Sequence, residues 1–326
     1  MIVRVTTRRA VLTSLAAAAA GLPLLNDLAG HGSRAAAEGS VVSGLPERYS
    51  SNTDLYASTE HLEGQHWVRR YRRHEAVDNL KASSPEMSLT SVVAPHGGVI
   101  ERGTSELCLA IAGYQPILPG IVTEAEPNPP LPQPVGNGVP VRDYWLFEAL
   151  ADIEGNPLHV TSTHCDDPAA LAVTGGSRYA VSLHGFSPDK DASGKPIGGA
   201  VQVLIGGRDQ RLIRNIRGVL ESRFTSPDLA PVNVTIAAEG TKINGDEPTN
   251  IVNRTYTGAG AQLEISTELR RMMFGDWSTA AKRVGTAGQG VVASYYWNGF
   301  VNGVRAAIDR HERGLDWAVV TVPYGG

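Results

Sequence analysis

The sequence predicts an α/β domain: a mixed, largely parallel central sheet flanked by helices. Three observations predict it. Short apolar runs of strand length alternate with segments of helical periodicity along most of the chain. Several of these runs stop at Gly, Pro or His, as strands do where they hand over to loops. The composition, 42% hydrophobic and 19% charged over 326 residues, is that of a globular chain able to bury a large core.

In chain order, a Gly- and Ser-rich lead (residues 38–48) precedes a single domain expected over residues 49–326. Residues 67–73, Trp-Val-Arg-Arg-Tyr-Arg-Arg, alternate and are basic on one face, which suits an edge strand with solvated arginines. Further strands are predicted at 89–94, 144–148, 158–163, 179–183, 201–205, 232–237 and 262–265. Helices are predicted at 105–112, 168–174, 210–224, 268–274 and 298–311. The first is the best specified: Thr104 is a natural N-cap, Glu106 falls in the first turn, and Gly113 suits the C′ position.

Two stretches read as loops. Residues 115–141 carry eight prolines and can continue neither a helix nor a central strand, so a surface excursion is expected, with a place over the functional site open to it. Residues 186–199, rich in Gly, Asp, Lys and Ser, read the same way. No internal repeat is visible.

The N-terminus differs from the rest. Thr6-Thr7-Arg8-Arg9 is followed by an uncharged stretch over 10–25 and then by Ala35-Ala36-Ala37, which together predict a twin-arginine export signal over residues 1–37 and hence secretion. The apolar stretch is shorter than the roughly 20 residues of a membrane span, so no stable membrane anchor is expected after cleavage. Loss of residues 1–37 removes four arginines and Asp27, leaving 25 basic and 32 acidic residues and a net charge of −7. That balance argues against nonspecific nucleic-acid binding, which needs a basic footprint. Cys108 and Cys165 are the only cysteines. They are too few for a disulfide scaffold; they could pair after export, or stay as two separate buried thiols.

Chemistry enters with the histidines. His96, His164 and His184 each end an apolar run, and in open α/β sheets the carboxyl ends of strands are where ligands bind. Gly97 and Gly98 separate His96 from Glu101 and let the chain fold back toward one point. Two imidazoles and a carboxylate converging at about 2.0 to 2.2 Å would hold a zinc ion, and His184 fits as the third ligand. Taken alone, His184 reads first as a hydrogen-bonded core histidine. In Ala261-Gln262-Leu263-Glu264-Ile265-Ser266, alternation puts Glu264 on the face opposite Leu263 and Ile265. A carboxylate so placed costs free energy unless paired or functional, and beside a zinc ion it would be the general base. His-Glu pairs occur only at His74-Glu75 and His311-Glu312, neither with the second His of a zincin, and no Gly-x-Ser-x-Gly occurs.

A specific resemblance adds to this reading. APHGGVIERGTSELCLAIAG, YWLFEAL, LHVTSTHCDDPAAL, AVSLHG, LIGGRD and NIVNRTYTGAGAQLEIS occur in this order between residues 94 and 266. Together they resemble the poly-γ-glutamate hydrolase family, first known from phages, whose fold is similar to zinc carboxypeptidases. The resemblance implies zinc held by His96, Glu101 and His184, with Glu264 as the catalytic carboxylate in amide hydrolysis. An anionic peptide or polymer would be the substrate. Each γ-linked glutamate presents a free carboxylate that suits a planar bidentate cation. Arg254 is the first choice for that cation, with Asn253 beside it, and His164 is open to either a substrate contact or a structural role. Cys165 stands where family members typically have Phe, and the proline-rich excursion is an addition; both bear on substrate choice. Two other readings remain open at this point: a carboxypeptidase-like or N-acyl amino acid amidohydrolase acting on another amide, such as a cell-wall peptide, and a secreted polyanion-binding protein without catalysis.

Overall fold

The structure is a computed structural model that describes residues 47–74, 89–120, 130–136, 138–238, 240–241 and 243–317. The expected export signal, most of the lead and the middle of the proline-rich stretch lie outside these residues. In chain order the elements are α1 (Asn52–Tyr56), β1 (Trp67–Arg72), β2 (Thr90–Gly98), α2 (Thr104–Ile111), β3 (Asp143–Ala149), α3 (Pro168–Gly175), β4 (Tyr179–Phe186), β5 (Gln202–Gly207), α4 (Gln210–Arg223), β6 (Asn233–Ile236), β7 (Ala261–Ser266), α5 (Thr267–Met272), α6 (Ala280–Thr286) and α7 (Val291–Glu312).

The strands form one seven-stranded sheet in the order β1-β3-β2-β4-β7-β5-β6. β3, β2, β4 and β7 run parallel through its middle, while β1 pairs antiparallel with β3 and β5 antiparallel with β7. The predicted mixed, largely parallel sheet is therefore what forms. Alternation sorts the central strands between two cores. Val92, Ala94, Leu146, Val181, Leu183, Leu263 and Ile265 pack toward α2, α4 and α7. Val93, Trp145 and Phe147 pack the other way, against Trp67, Leu158, Val160, Cys165 and Val173. Full burial of one such side chain contributes about 1.5–3 kcal/mol, so both faces hold the sheet.

The edge strand at residues 67–72 is as expected, but its arginines are not simply solvated. Arg69 pairs with Glu63 and Asp167, and Arg70 reaches the buried Glu148 at 3.0 Å. Cys108 and Cys165 are both free and buried on opposite faces of the sheet. Helix α2 starts differently from the expectation: its N-cap is Gly103, at φ 93°, and Thr104 is the first helical residue, its hydroxyl donating to the Glu101 carbonyl at 2.8 Å. Its end is a Schellman arrangement, with Gly113 N–H donating to Ala110 O and Tyr114 N–H to Leu109 O.

Two expectations need larger correction. Residues 158–163 form no strand; they run as a loop into a 3₁₀ turn, Ser162–His164. β2 pairs directly with β4 and leaves no gap for another strand, so Leu158 and Val160 plug the core while side chains serve the backbone of their loop. Helix α7 begins seven residues earlier than predicted. α7 packs closely on α4: a Cβ at Gly299 would lie 2.6 Å from the Phe224 ring and one at Gly303 would lie 2.8 Å from Leu220. The polar, helical pattern after Tyr49 forms the short helix α1, whereas α6 had no clear sequence signal. Of the proline-rich stretch, the described parts make only a single bridge, Tyr114 to Pro134. Ile117, Leu118 and Pro119 from it line a cavity of about 280 Å³ with Gly98, Val99, Arg102, Glu106 and Arg283, next to the glycine hinge.

Candidate metal centre

β2 delivers His96 just before its end, where the register with β3 shifts between Ala94 and Gly97. The next two residues must be glycine. A Cβ on Gly97 would lie 2.2 Å from Ser105 Oγ, and Gly98, at φ 71°, would place one 2.0 Å from the Ala149 carbonyl oxygen. The turn closes when Glu101 N–H donates to the His96 carbonyl at 2.9 Å. Glu101 thereby folds back so that its Oε1 lies 2.9 Å from His96 Nδ1.

His184 arrives from β4, and Glu264 stands opposite it on β7. His184 Nδ1 lies 3.2 Å from His96 Nδ1 and 3.7 Å from Glu101 Oε2. The glycine hinge, the end of β2 and the middle of the sheet thus bring His96, Glu101 and His184 to one place. All three are buried, at 4% exposure each, and Glu264 is at 5%.

Hydrogen bonds around the cluster decide which atoms face inward. The Val160 carbonyl can only accept, so His96 Nε2–H donates to it at 2.9 Å and Nδ1 of the neutral ring keeps its lone pair. His184 Nε2 meets Ser182 Oγ at 2.9 Å and Ser162 Oγ at 3.3 Å, which leaves Nδ1 for the cluster. Glu101 Oε2 accepts from Gly185 N–H at 2.8 Å. Two imidazole nitrogens and a carboxylate oxygen therefore point at one another, an arrangement of lone pairs that calls for a cation between them. Their separations suit it, because ligands at about 2.0–2.2 Å from a tetrahedral ion stand roughly 3.3–3.6 Å apart. The donor set, two imidazoles and one carboxylate, is one that zinc accepts while keeping a position open.

Electrostatics follow the same geometry. Burial disfavours the Glu101 charge, but His96 and His184 outweigh it and hold the carboxyl well below the usual carboxylate range. Burial likewise opposes a cationic His96, and Glu101 outweighs it, raising the pKa. Glu264 goes the other way. Burial pushes it up to about 7, with Glu101 adding to the rise and His184, His96 and the Gln262 amide opposing it. Gln262 Nε2 donates to Glu264 Oε1 at 2.9 Å and holds it in place.

Two residues beside the cluster were not singled out in the sequence. His159 lies over His96, with ring centroids 4.1 Å apart and planes tilted by 34°, and one of its ring nitrogens lies within 4.8 Å of ligand atoms of His96 and Glu101. Burial, and next the His96 charge, lower its pKa to about 3, so it is neutral at physiological pH. The one available signal was a second histidine inside the Leu158-to-His164 run. Arg270 is fully buried behind the site: its guanidinium donates to the carbonyls of Ile265 and Arg102 and to Thr267 Oγ1, tying β7 to the hinge that carries Glu101.

Asn253 and Arg254, two of the three expected substrate-contacting residues, are placed otherwise. Asn253 is a loop staple, because its Nδ2 donates to the carbonyls of Gly245 and Glu247 and its Oδ1 accepts from Gly260 N–H. Arg254 is exposed, and its segment is anchored to Ser177 and Arg178 ahead of β4 through Tyr256 and Thr257. That anchoring places its segment beside the start of β4. His164 lies at the surface, its side chain 53% exposed and paired with Glu47 at 3.0 Å.

Fold and cluster together define the class, a mixed α/β domain with a buried imidazole–carboxylate site. Residues 140–295 match the family model described as poly-gamma-glutamate hydrolase. That stretch contains His159, His184 and Glu264, whereas His96 and Glu101 precede it. Among relatives in Bacillus subtilis (strain 168), the SPbeta prophage-derived UPF0714 protein YoqZ is 31% identical over 200 residues, 61% of this chain and 56% of that protein. The UPF0714 protein YndL is 28% identical over 233 residues, 71% of each. The chain therefore spans little more than half the length of YoqZ. Two solved structures share the fold. One, described as bacteriophage poly-gamma-glutamate hydrolase, has a TM-score of 0.58 at 24% identity and covers 82% of this chain and 99% of its own. The other, described as YNDL-apo (Zinc-free), has a TM-score of 0.55 at 23% identity with the same coverage.

Proposed function

We propose that this chain is an exported, zinc-dependent amidohydrolase that cleaves γ-glutamyl amide bonds, with poly-γ-glutamate as its substrate class. The observation that carries the reading is the convergence of His96 Nδ1, His184 Nδ1 and Glu101 on one point, with Glu264 opposite His184 on the next strand. The family match, and the zinc named for the YNDL structure, support it. The Thr6-to-Ala37 pattern supports export.

His96, His184 and Glu101 would hold the ion, which supplies Lewis acidity to a water and to an amide carbonyl. The chain's own residues do the rest. Val160 and Ser182 fix the two rings with their Nδ1 atoms inward. Glu264, held by the Gln262 amide, takes a proton from the attacking water and gives it to the departing amine nitrogen. Water adds to the carbonyl carbon, the C–N bond breaks, and a carboxylate and an amine result.

The test is metal analysis of the mature protein followed by product sizing on γ-polyglutamate, with α-linked polyglutamate as the comparison. One zinc per chain and shortened γ-linked chains are expected. Zinc-loaded protein that leaves γ-polyglutamate intact would end this reading.

A further inference from the structure

We infer that the loop over residues 159–164 carries a carboxylate-binding subsite beside the metal cluster, occupied in this structure by the chain's own Glu47. Glu47 Oε1 accepts from Thr161 N–H at 2.7 Å, and its Oε2 lies 3.0 Å from His164 Nδ1. A carboxylate only accepts, so His164 Nδ1 carries the hydrogen. His159 Nδ1 stands 3.8 Å from Oε1 on the third side. Because this loop pairs with no strand, its Thr161 N–H is free for such a partner, and the 3₁₀ turn at Ser162–His164 brings His164 round to the same anion.

Position gives the subsite its meaning. His159 lies over His96, the ring centroids 4.1 Å apart and the planes tilted by 34°, so one imidazole ring separates the carboxylate from the cluster. The subsite is also open: the side chain of Glu47 is 25% exposed and that of His164 53%. The neighbouring segment is anchored independently, with Tyr49 buried and its hydroxyl 2.6 Å from His61 Nδ1. Glu47 can therefore swing out while the loop keeps its shape. An incoming ligand would bring its own carboxylate to Thr161 N–H, His164 and His159. On the proposed function, which this inference deepens, that group is the free carboxylate of a γ-linked glutamate flanking the scissile bond. Glu47 is then a tethered competitor for the subsite.

The experiment titrates glutarate, a simple dicarboxylate, into zinc-loaded wild type, Glu47→Gln, Glu47→Ala and Glu47→Ala/His164→Ala by calorimetry, with KM on γ-polyglutamate and Tm alongside. Removing a tethered competitor should tighten glutarate by about tenfold and lower KM in both single variants. The added His164→Ala should abolish the gain. Unchanged or weaker glutarate binding in the Glu47 variants, with or without a fall in Tm, would show Glu47 to be only a staple for the loop and overturn the inference. Failure of the hydrolase reading looks different: no form cleaves γ-polyglutamate, while the glutarate titrations still report on the subsite.

Discussion

His184 and Glu264 stand directly opposite each other on the adjacent parallel strands β4 and β7, on the sheet face that also receives His96. In-register neighbours on parallel strands share a face at about 4.8 Å, so this pair puts an acid beside a candidate metal ligand without any loop having to hold it. Rigid strands position such groups better than loops do.

Glu264→Gln keeps the size and the Gln262 contact but removes the proton acceptor. The rate of amide hydrolysis should fall at least about a hundredfold, the scale of general acid–base catalysis, while bound zinc stays stoichiometric. Single-turnover rates and metal content on the same sample check this; activity within a few-fold of wild type would remove Glu264 from its role.

His184→Ala deletes one of the three converging donors. Metal content after dialysis should drop to a small fraction of wild type, whereas Arg254→Ala, altered at the far end of β4, should stay fully loaded. Full occupancy in the His184 variant would take it off the ligand set.

Gly185→Ala tests the support behind the site. Its Cβ would stand 2.4 Å from Arg270 Cζ, so the buried guanidinium must shift away from the Arg102 carbonyl. Overpacking of this kind costs about 1–3 kcal/mol, and the shift disturbs the N–H that holds Glu101. A lower Tm together with weaker metal retention is expected, and a wild-type Tm would show that Arg270 has room to move.

The raised pKa of Glu264 has a signature in metal-free protein. The folded state keeps a proton up to about 7 that the unfolded chain loses near 4.5. Between those values the folded state binds more protons, so this group's contribution to stability declines as pH rises. The Tm difference between Glu264→Gln and wild type should therefore move in favour of the variant from pH 4.5 to 7. A difference independent of pH across that window would mean that Glu264 is ionised when metal is absent.

Much of the fold was legible because period and punctuation are local properties. The strands at 144–148, 179–183 and 201–205 each extend a residue or more beyond the apolar run that announces them, since pairing continues past the last hydrophobic residue. Residues 158–163 misled for the opposite reason. Leu158-His159-Val160-Thr161 has strand composition, but strand formation needs a free edge, and the direct pairing of β2 with β4 removed it. Asn253 and Arg254 misled through proximity in sequence to Glu264, which says nothing about which end of β4 their loop meets.

By itself the sequence determined most of the sheet-forming and helix-forming segments, the glycine hinge after His96, and the residue types able to ligate a metal and move a proton. Those follow from backbone preference and side-chain chemistry, which each residue carries with it. Only the tertiary structure decided that Nδ1 rather than Nε2 of both histidines faces the centre, that His159 lies over His96, and that Glu47 reaches the same loop from more than a hundred residues away. Tautomers, stacking and carboxylate partners are set by what lies within a few ångströms, and strand order, not position along the chain, fixes those neighbours.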